Sequence, residues 1–125
     1  MGRLRAEFLE RTESYCDRVI VVCKTLQSGG CFPRIVDQLV GSGTSVGANV
    51  FEADEAMTTA DFIKCLAIAS KELSETRFWL RLVARHDWIR PDRLDGLHAE
   101  SNEIRKVIGS MIARSKKNGG VRPGR

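Results

Sequence analysis

An all-α fold, an antiparallel up-down-up-down four-helix bundle, is predicted by three features of this 125-residue sequence. Apolar residues recur at alternating steps of three and four in four separate stretches, the spacing of a helix seam. Glycine- and proline-bearing connections of a few residues separate those stretches, and connections that short make consecutive helices antiparallel neighbours. No segment combines two-residue alternation, β-branched residues and hairpin turns. The composition, 42% hydrophobic and 29% charged, excludes a disordered chain. A chain of this length buries about two-thirds of its unfolded surface and folds without disulfide or metal staples. No apolar run approaches the roughly 18 residues of a membrane helix, so no membrane partner is expected.

The first helix is expected over residues 3–28, on the seam Phe8, Thr12, Tyr15, Val19, Val22 and Leu26. The run Val19–Cys23 is strand-like alone, but it lies inside that longer period. Gly29 and Gly30 stop the helix, because glycine takes the left-handed conformation common at a helix C-terminus.

Pro33 suits a first helical turn, and Ile35, Val36, Leu39, Val40, Val46 and Val50 supply the apolar face of a second helix over about 33–55. Gly41, Gly43 and Gly47 each cost roughly 1 kcal/mol against alanine in a helix interior. With Ser42, Ser45 and Ala48 they form a strip of small side chains that lets a neighbouring backbone come close. The same residues are not a phosphate-binding loop, since no strand precedes them and Gly47 is followed by Ala48 where that loop has Lys-Ser/Thr.

The third helix, 59–86, has the clearest seam: Phe62, Leu66, Ala69, Leu73, Thr76, Leu80 and Val83. Thr58 or Thr59 caps it, and Asp61 complements the positive end of its dipole. Arg90-Pro91-Asp92 restarts the chain, and Leu94, Leu97, Ser101, Ile104, Ile108 and Met111 mark a fourth seam that ends near Lys117, before Asn118-Gly119-Gly120. Residues 1–117 thus form one bundle domain and 118–125 a basic, flexible tail.

The net charge is +4, and Arg114, Lys116, Lys117, Arg122 and Arg125 carry it with no acid among them; subtracting those five leaves −1 on the rest. Clustered cations gain by releasing phosphate counterions, which points to RNA or DNA. Arg77, Arg81 and Arg85 recur every four residues on the third helix, and Lys106, Arg114, Lys116 and Lys117 extend this nucleic-acid-binding set. The alternative is a solvated face, or salt bridges between subunits to Glu100, Glu103 or Asp87. Phe78, Trp79 and Leu82 lie off the main seam and are expected against another subunit, with a single broad core as the alternative.

Cys16, Cys23, Cys31 and Cys65 include no CxxC pair, and His86 and His98 add no ligand-spaced cluster, so no zinc site is expected. The N-terminus lacks the apolar stretch of a signal peptide, which places the chain in a reducing cytoplasm with free or buried thiols. Glu52, Glu72 and Glu75 resemble the acids of a di-iron bundle, but no Glu-x-x-His pair accompanies them. They are expected in a polar network, either paired with Lys71, Arg77 or Arg105 or hydrogen-bonded to Ser45, Asn49 and Thr76 between helices. Neither metal, cofactor nor catalytic nucleophile is expected, since no short segment forms a nucleophile elbow.

Residues 42–83 also carry a resemblance. Ser42-Gly43-Thr44-Ser45-Val46-Gly47-Ala48-Asn49-Val50, Glu52-Ala53, Asp61-Phe62-Ile63, Ile68-Ala69, Lys71-Glu72, Glu75-Thr76 and Trp79-Leu80 resemble the four helix bundle protein family, known from open reading frames in intervening sequences of bacterial large-subunit ribosomal RNA genes. The resemblance implies a bundle that assembles as a ring-like homopentamer, and a kinship with the accessory protein of diversity-generating retroelements, which binds a reverse transcriptase and nucleic acid. It implies no catalytic residue. The function expected is therefore a non-enzymatic oligomer that binds nucleic acid or a nucleic-acid enzyme such as a reverse transcriptase; a purely structural protein–protein interaction module is the alternative.

Overall fold

Glycine at φ +78° ends the first helix and an aspartate at φ +58° ends the third, and these two reversals divide the chain. The computed structural model describes residues 2–120, which form four α-helices: α1 (Ala6–Ser28), α2 (Pro33–Asp54), α3 (Thr59–Arg85) and α4 (Asp95–Gly120). A short 3-10 turn, Pro91–Leu94, leads into α4, and no strand occurs among the described residues.

Each terminus has a local cause. Gly30 closes α1 in a double-bonded cap: its N–H donates to the Gln27 carbonyl at 3.1 Å and that of Cys31 to the Leu26 carbonyl at 3.0 Å. Pro33 opens α2 where an amide hydrogen has no partner anyway. Thr58 caps α3 by accepting from the Asp61 N–H at 3.0 Å. Asp87 repeats the Gly30 device at the other end of α3, with its own N–H on Ala84 and that of Trp88 on Val83, both at 3.1 Å.

Two boundaries differ from expectation. α1 begins at Ala6 because residues 3–5 are tied as a bent strap onto the end of α2. The Arg3 N–H donates to the Asp54 carbonyl at 3.0 Å and the Leu4 N–H to Asp54 Oδ1 at 2.7 Å. The Arg3 guanidinium donates to the Ala56 carbonyl at 2.8 Å and lies 5.4 Å from the Phe62 ring centre. α4 runs on to Gly120, since glycines in a final turn still donate to carbonyls four residues back. Residues 121–125 of the expected tail, Arg122 and Arg125 included, lie outside the described residues.

The helices pack in a closed circuit, α1 on α2, α2 on α3, α3 on α4 and α4 on α1. The core they enclose contains Tyr15, Val19, Leu39, Val46, Leu66, Leu73, Leu80, Ile104 and Ile108, all fully buried. The buried residues of α3 are the seven of its expected seam. On α1 the seam slips by one residue: Cys23 is buried where Val22 was expected, because an ideal helix drifts about 20° per heptad from a strict 3.5 repeat.

The small-residue strip of α2 has its close neighbour in α1. A Cβ on Gly43 would stand 2.5 Å from Val19 Cγ1, and one on Gly47 2.7 Å from Cys16 Sγ. A Cβ on Gly41 would meet nothing. All four thiols are free. Burial pushes the Cys23 thiol up to about 11 and raises Cys16, Cys31 and Cys65 as well. Among the described residues, no helix is long and apolar enough to cross a membrane.

Candidate nucleic-acid interface

A four-residue period on a helix returns a side chain to nearly the same face, so Arg77, Arg81 and Arg85 share one side of α3. With Ser74 and Phe78 they line one hollow of about 330 Å³. Arg77 is half-buried, and its Nε is buried without an acceptor. An orphaned N–H of that kind costs about 1–3 kcal/mol. Arg81 and Arg85 are exposed, and neither pairs with an acid among the described residues. Two of the acids open to them are engaged elsewhere. Glu100 forms a bidentate pair with Arg11, at 2.6 and 2.9 Å, and Glu103 lies 3.5 Å from Lys106.

Phe78 is 53% exposed, and its ring stands edge-on to Trp79, with centres 4.9 Å apart and planes at 74°. Trp79 is half-buried and donates its indole N–H to Glu75 at 3.1 Å; Leu82 is half-buried too. Phe78, one of three side chains expected at a subunit contact, thus shares the hollow with the arginines. Lys106 is partly committed to Glu103, and Arg114, Lys116 and Lys117 are exposed on the last turns of α4.

The surroundings of the hollow disfavour a further cation. His98 on α4 is half-buried and held below its ordinary value of 6.5, by burial first and then by Arg77, with Asp95 opposing and Arg81 adding to the effect. Protonating that imidazole would place a third charge beside two guanidiniums, so it stays neutral near pH 7. Arg77 also lies near Tyr15, whose buried hydroxyl is 3.1 Å from Ser101 Oγ and whose ionisation burial disfavours.

The expected polar network is distributed differently. Thr76 is the one residue of the six with a hydrogen bond to another helix, and its partner is Ser42 of α2, at 2.9 Å. Asn49 donates to the Ser45 carbonyl within α2, and Glu75 accepts from Trp79 within α3. Glu52 is exposed; Glu72 is half-buried and raised, by burial first and then by Glu75, with Lys71 opposing. The physical reason is reach: acids beside the seam find solvent more readily than a partner, whereas a hydroxyl on the seam cannot. No three His, Cys, Asp or Glu side chains among the described residues converge in a way that would hold a metal ion.

Sequence reasoning missed Ser42, read as a small spacer, and the Arg11–Glu100 and Tyr15–Ser101 contacts that join α1 to α4. The seam positions of Tyr15 and Ser101 hinted at the last of these.

Comparison with known proteins adds two findings. The family model described as 23S rRNA-intervening sequence protein matches residues 6–110. A crystal structure of a protein of unknown function from the S23 ribosomal protein family of Bacteroides thetaiotaomicron VPI-5482 superposes with a TM-score of 0.80 at 35% identity, covering 84% of this chain and 97% of that one. No curated protein matches.

Proposed function

The chain belongs to the 23S rRNA-intervening sequence protein family, and from that premise we propose that it is a non-enzymatic, oligomeric helical protein that binds nucleic acid, or an enzyme working on nucleic acid such as a reverse transcriptase. One observation carries this reading: three arginines line one hollow, and the two exposed ones have no carboxylate partner. Guanidiniums left without acids are free to exchange counterions for phosphates. The thiols, all raised from their ordinary value by burial, are poorly suited to act as nucleophiles, which fits this reading for cysteine chemistry.

The reading includes an up-down-up-down course for the four helices and a ring-like homopentamer. Contacts support the first: Val19 meets Gly43 and Cys16 meets Gly47, so numbers fall along α2 as they rise along α1. Phe32 before α2 packs edge-on to Trp88 before α4, with centres 5.9 Å apart, which brings the first and third connections to one end. Trp79 and Leu82, half-buried on the surface of α3, support a subunit contact.

Gel shift or filter binding with mixed-sequence RNA and DNA across a salt series tests the nucleic-acid role. Binding that weakens steeply with salt, and that Arg81→Glu with Arg85→Glu abolishes, is expected. Absence of binding at low salt overturns it. A second reading, a protein–protein interaction module, draws on exposed Phe32, Phe51 and Met57, the last 91% exposed. Under it the same double charge reversal leaves partner capture unchanged.

A further inference from the structure

We propose that the α3 hollow takes single-stranded nucleic acid rather than duplex, with an unpaired base stacked on Phe78 and neighbouring phosphates on Arg81 and Arg85. This inference rests on the nucleic-acid reading above and specifies the form of its ligand. Charge alone does not distinguish one strand from two. A flat aromatic face does, because every base has a π-face and in a duplex that face is already covered by its neighbours.

The geometry of Phe78 carries the argument. Phe78 is 53% exposed in a hollow otherwise lined by Ser74 and three arginines, so part of an aromatic ring stands open to a ligand beside guanidiniums. Its ring is also held. The Trp79 ring stands across it, with centres 4.9 Å apart and planes at 74°, and Trp79 is fixed in turn by its indole bond to Glu75 at 3.1 Å. A perpendicular neighbour at that distance limits how far the Phe78 ring can turn before a base arrives. Arg81 and Arg85 are separated by one helical step of four residues, about 6 Å along the axis. That spacing lets two guanidiniums on one side of the ring follow successive phosphates of an extended strand. Arg77, half-buried, lines the same hollow and adds the positive charge of its guanidinium to that of the two exposed arginines.

Fluorescence anisotropy with a labelled, unstructured strand, as RNA and as DNA, and with the duplex of the same sequence provides the test. The single strand is expected to bind about tenfold tighter than its duplex or better. Phe78→Leu is expected to lower single-strand affinity by about fivefold to a hundredfold, the range for loss of one base–aromatic stack, without moving duplex affinity. Phe78→Trp should preserve the preference, and Arg81→Ala should weaken both ligands. Equal affinity for strand and duplex, or a Phe78→Leu protein that still prefers the strand, overturns this inference and leaves charge-driven binding standing. Failure to bind either ligand at low salt removes both readings. Light scattering completes the set: a change of assembly mass on Phe78→Leu assigns the ring to a subunit contact and overturns the stacking role.

Discussion

The hydroxyls of Thr76 and Ser42 meet 2.9 Å apart inside the α2–α3 interface, both side chains buried. Thr76 also lies 2.8 Å from the Glu72 carbonyl and Ser42 3.2 Å from that of Leu39. Two protons therefore serve three contacts, and whichever hydroxyl donates across the interface, the other still has its partner. The pair fixes the register of α2 against α3 with no charge buried.

We expect Thr76→Val to lower stability by about 1–2 kcal/mol, because it removes one buried partner while keeping shape. Combining it with Ser42→Ala should cost less than the sum of the two single changes, since neither hydroxyl is then left alone. Urea midpoints at an unchanged slope check both statements.

The glycines of α2 should respond in opposite directions. Gly41→Ala, with open space around the new methyl, is expected to stabilise by about 1 kcal/mol through helix propensity. Gly43→Ala drives its methyl into the stiff side chain of Val19, and overpacking of about 1–3 kcal/mol outweighs that gain. Gly47→Ala falls between, since Cys16 Sγ can rotate aside. Thermal melts of the three variants rank them.

Acid should destabilise the protein in two stages. His98 is held below 6.5, so the unfolded chain takes up its proton first and stability falls as pH drops from about 6.5 through the lower folded value. Glu100 is held below its ordinary 4.5, by its bond to Arg11 first, so its contribution is present above 4.5 and disappears as pH falls through the lower folded value. His98→Gln should remove the first stage and Glu100→Gln the second, read from denaturant midpoints across pH.

Trp79→Ala is expected to shift the light-scattering mass toward the 13.9 kDa of one chain, because a buried tryptophan anchor commonly dominates a contact. A mass unchanged from the parent removes Trp79 from the subunit interface.

The α3 seam was readable residue by residue because its seven core positions are apolar or small and keep one spacing over three heptads. The start of α1 was not: nothing in Arg3-Leu4-Arg5 opposes a helix, and the strap exists only because Asp54, about fifty residues on, accepts two of its amide hydrogens. The end of α3 was readable to within one residue, but its device was not, since aspartate tolerates a positive φ without announcing it as Gly30 does. The arginine stripe was legible as a period. That Arg77 turns inward while Arg81 and Arg85 remain without acids depended on where α1 and α4 place Glu100 and His98, which no local pattern encodes.

The unbridged sulfurs give the molecule a built-in stopwatch. Cys16 and Cys23 mark α1, Cys31 the connection that follows it and Cys65 the early turns of α3. Iodoacetamide supplied to native protein should tag the partly open Cys31 and Cys65 first and Cys23 last, in step with global opening. Mass spectrometry of the tagged chain would then time the breathing of separate helices in one untouched sample, without an introduced probe.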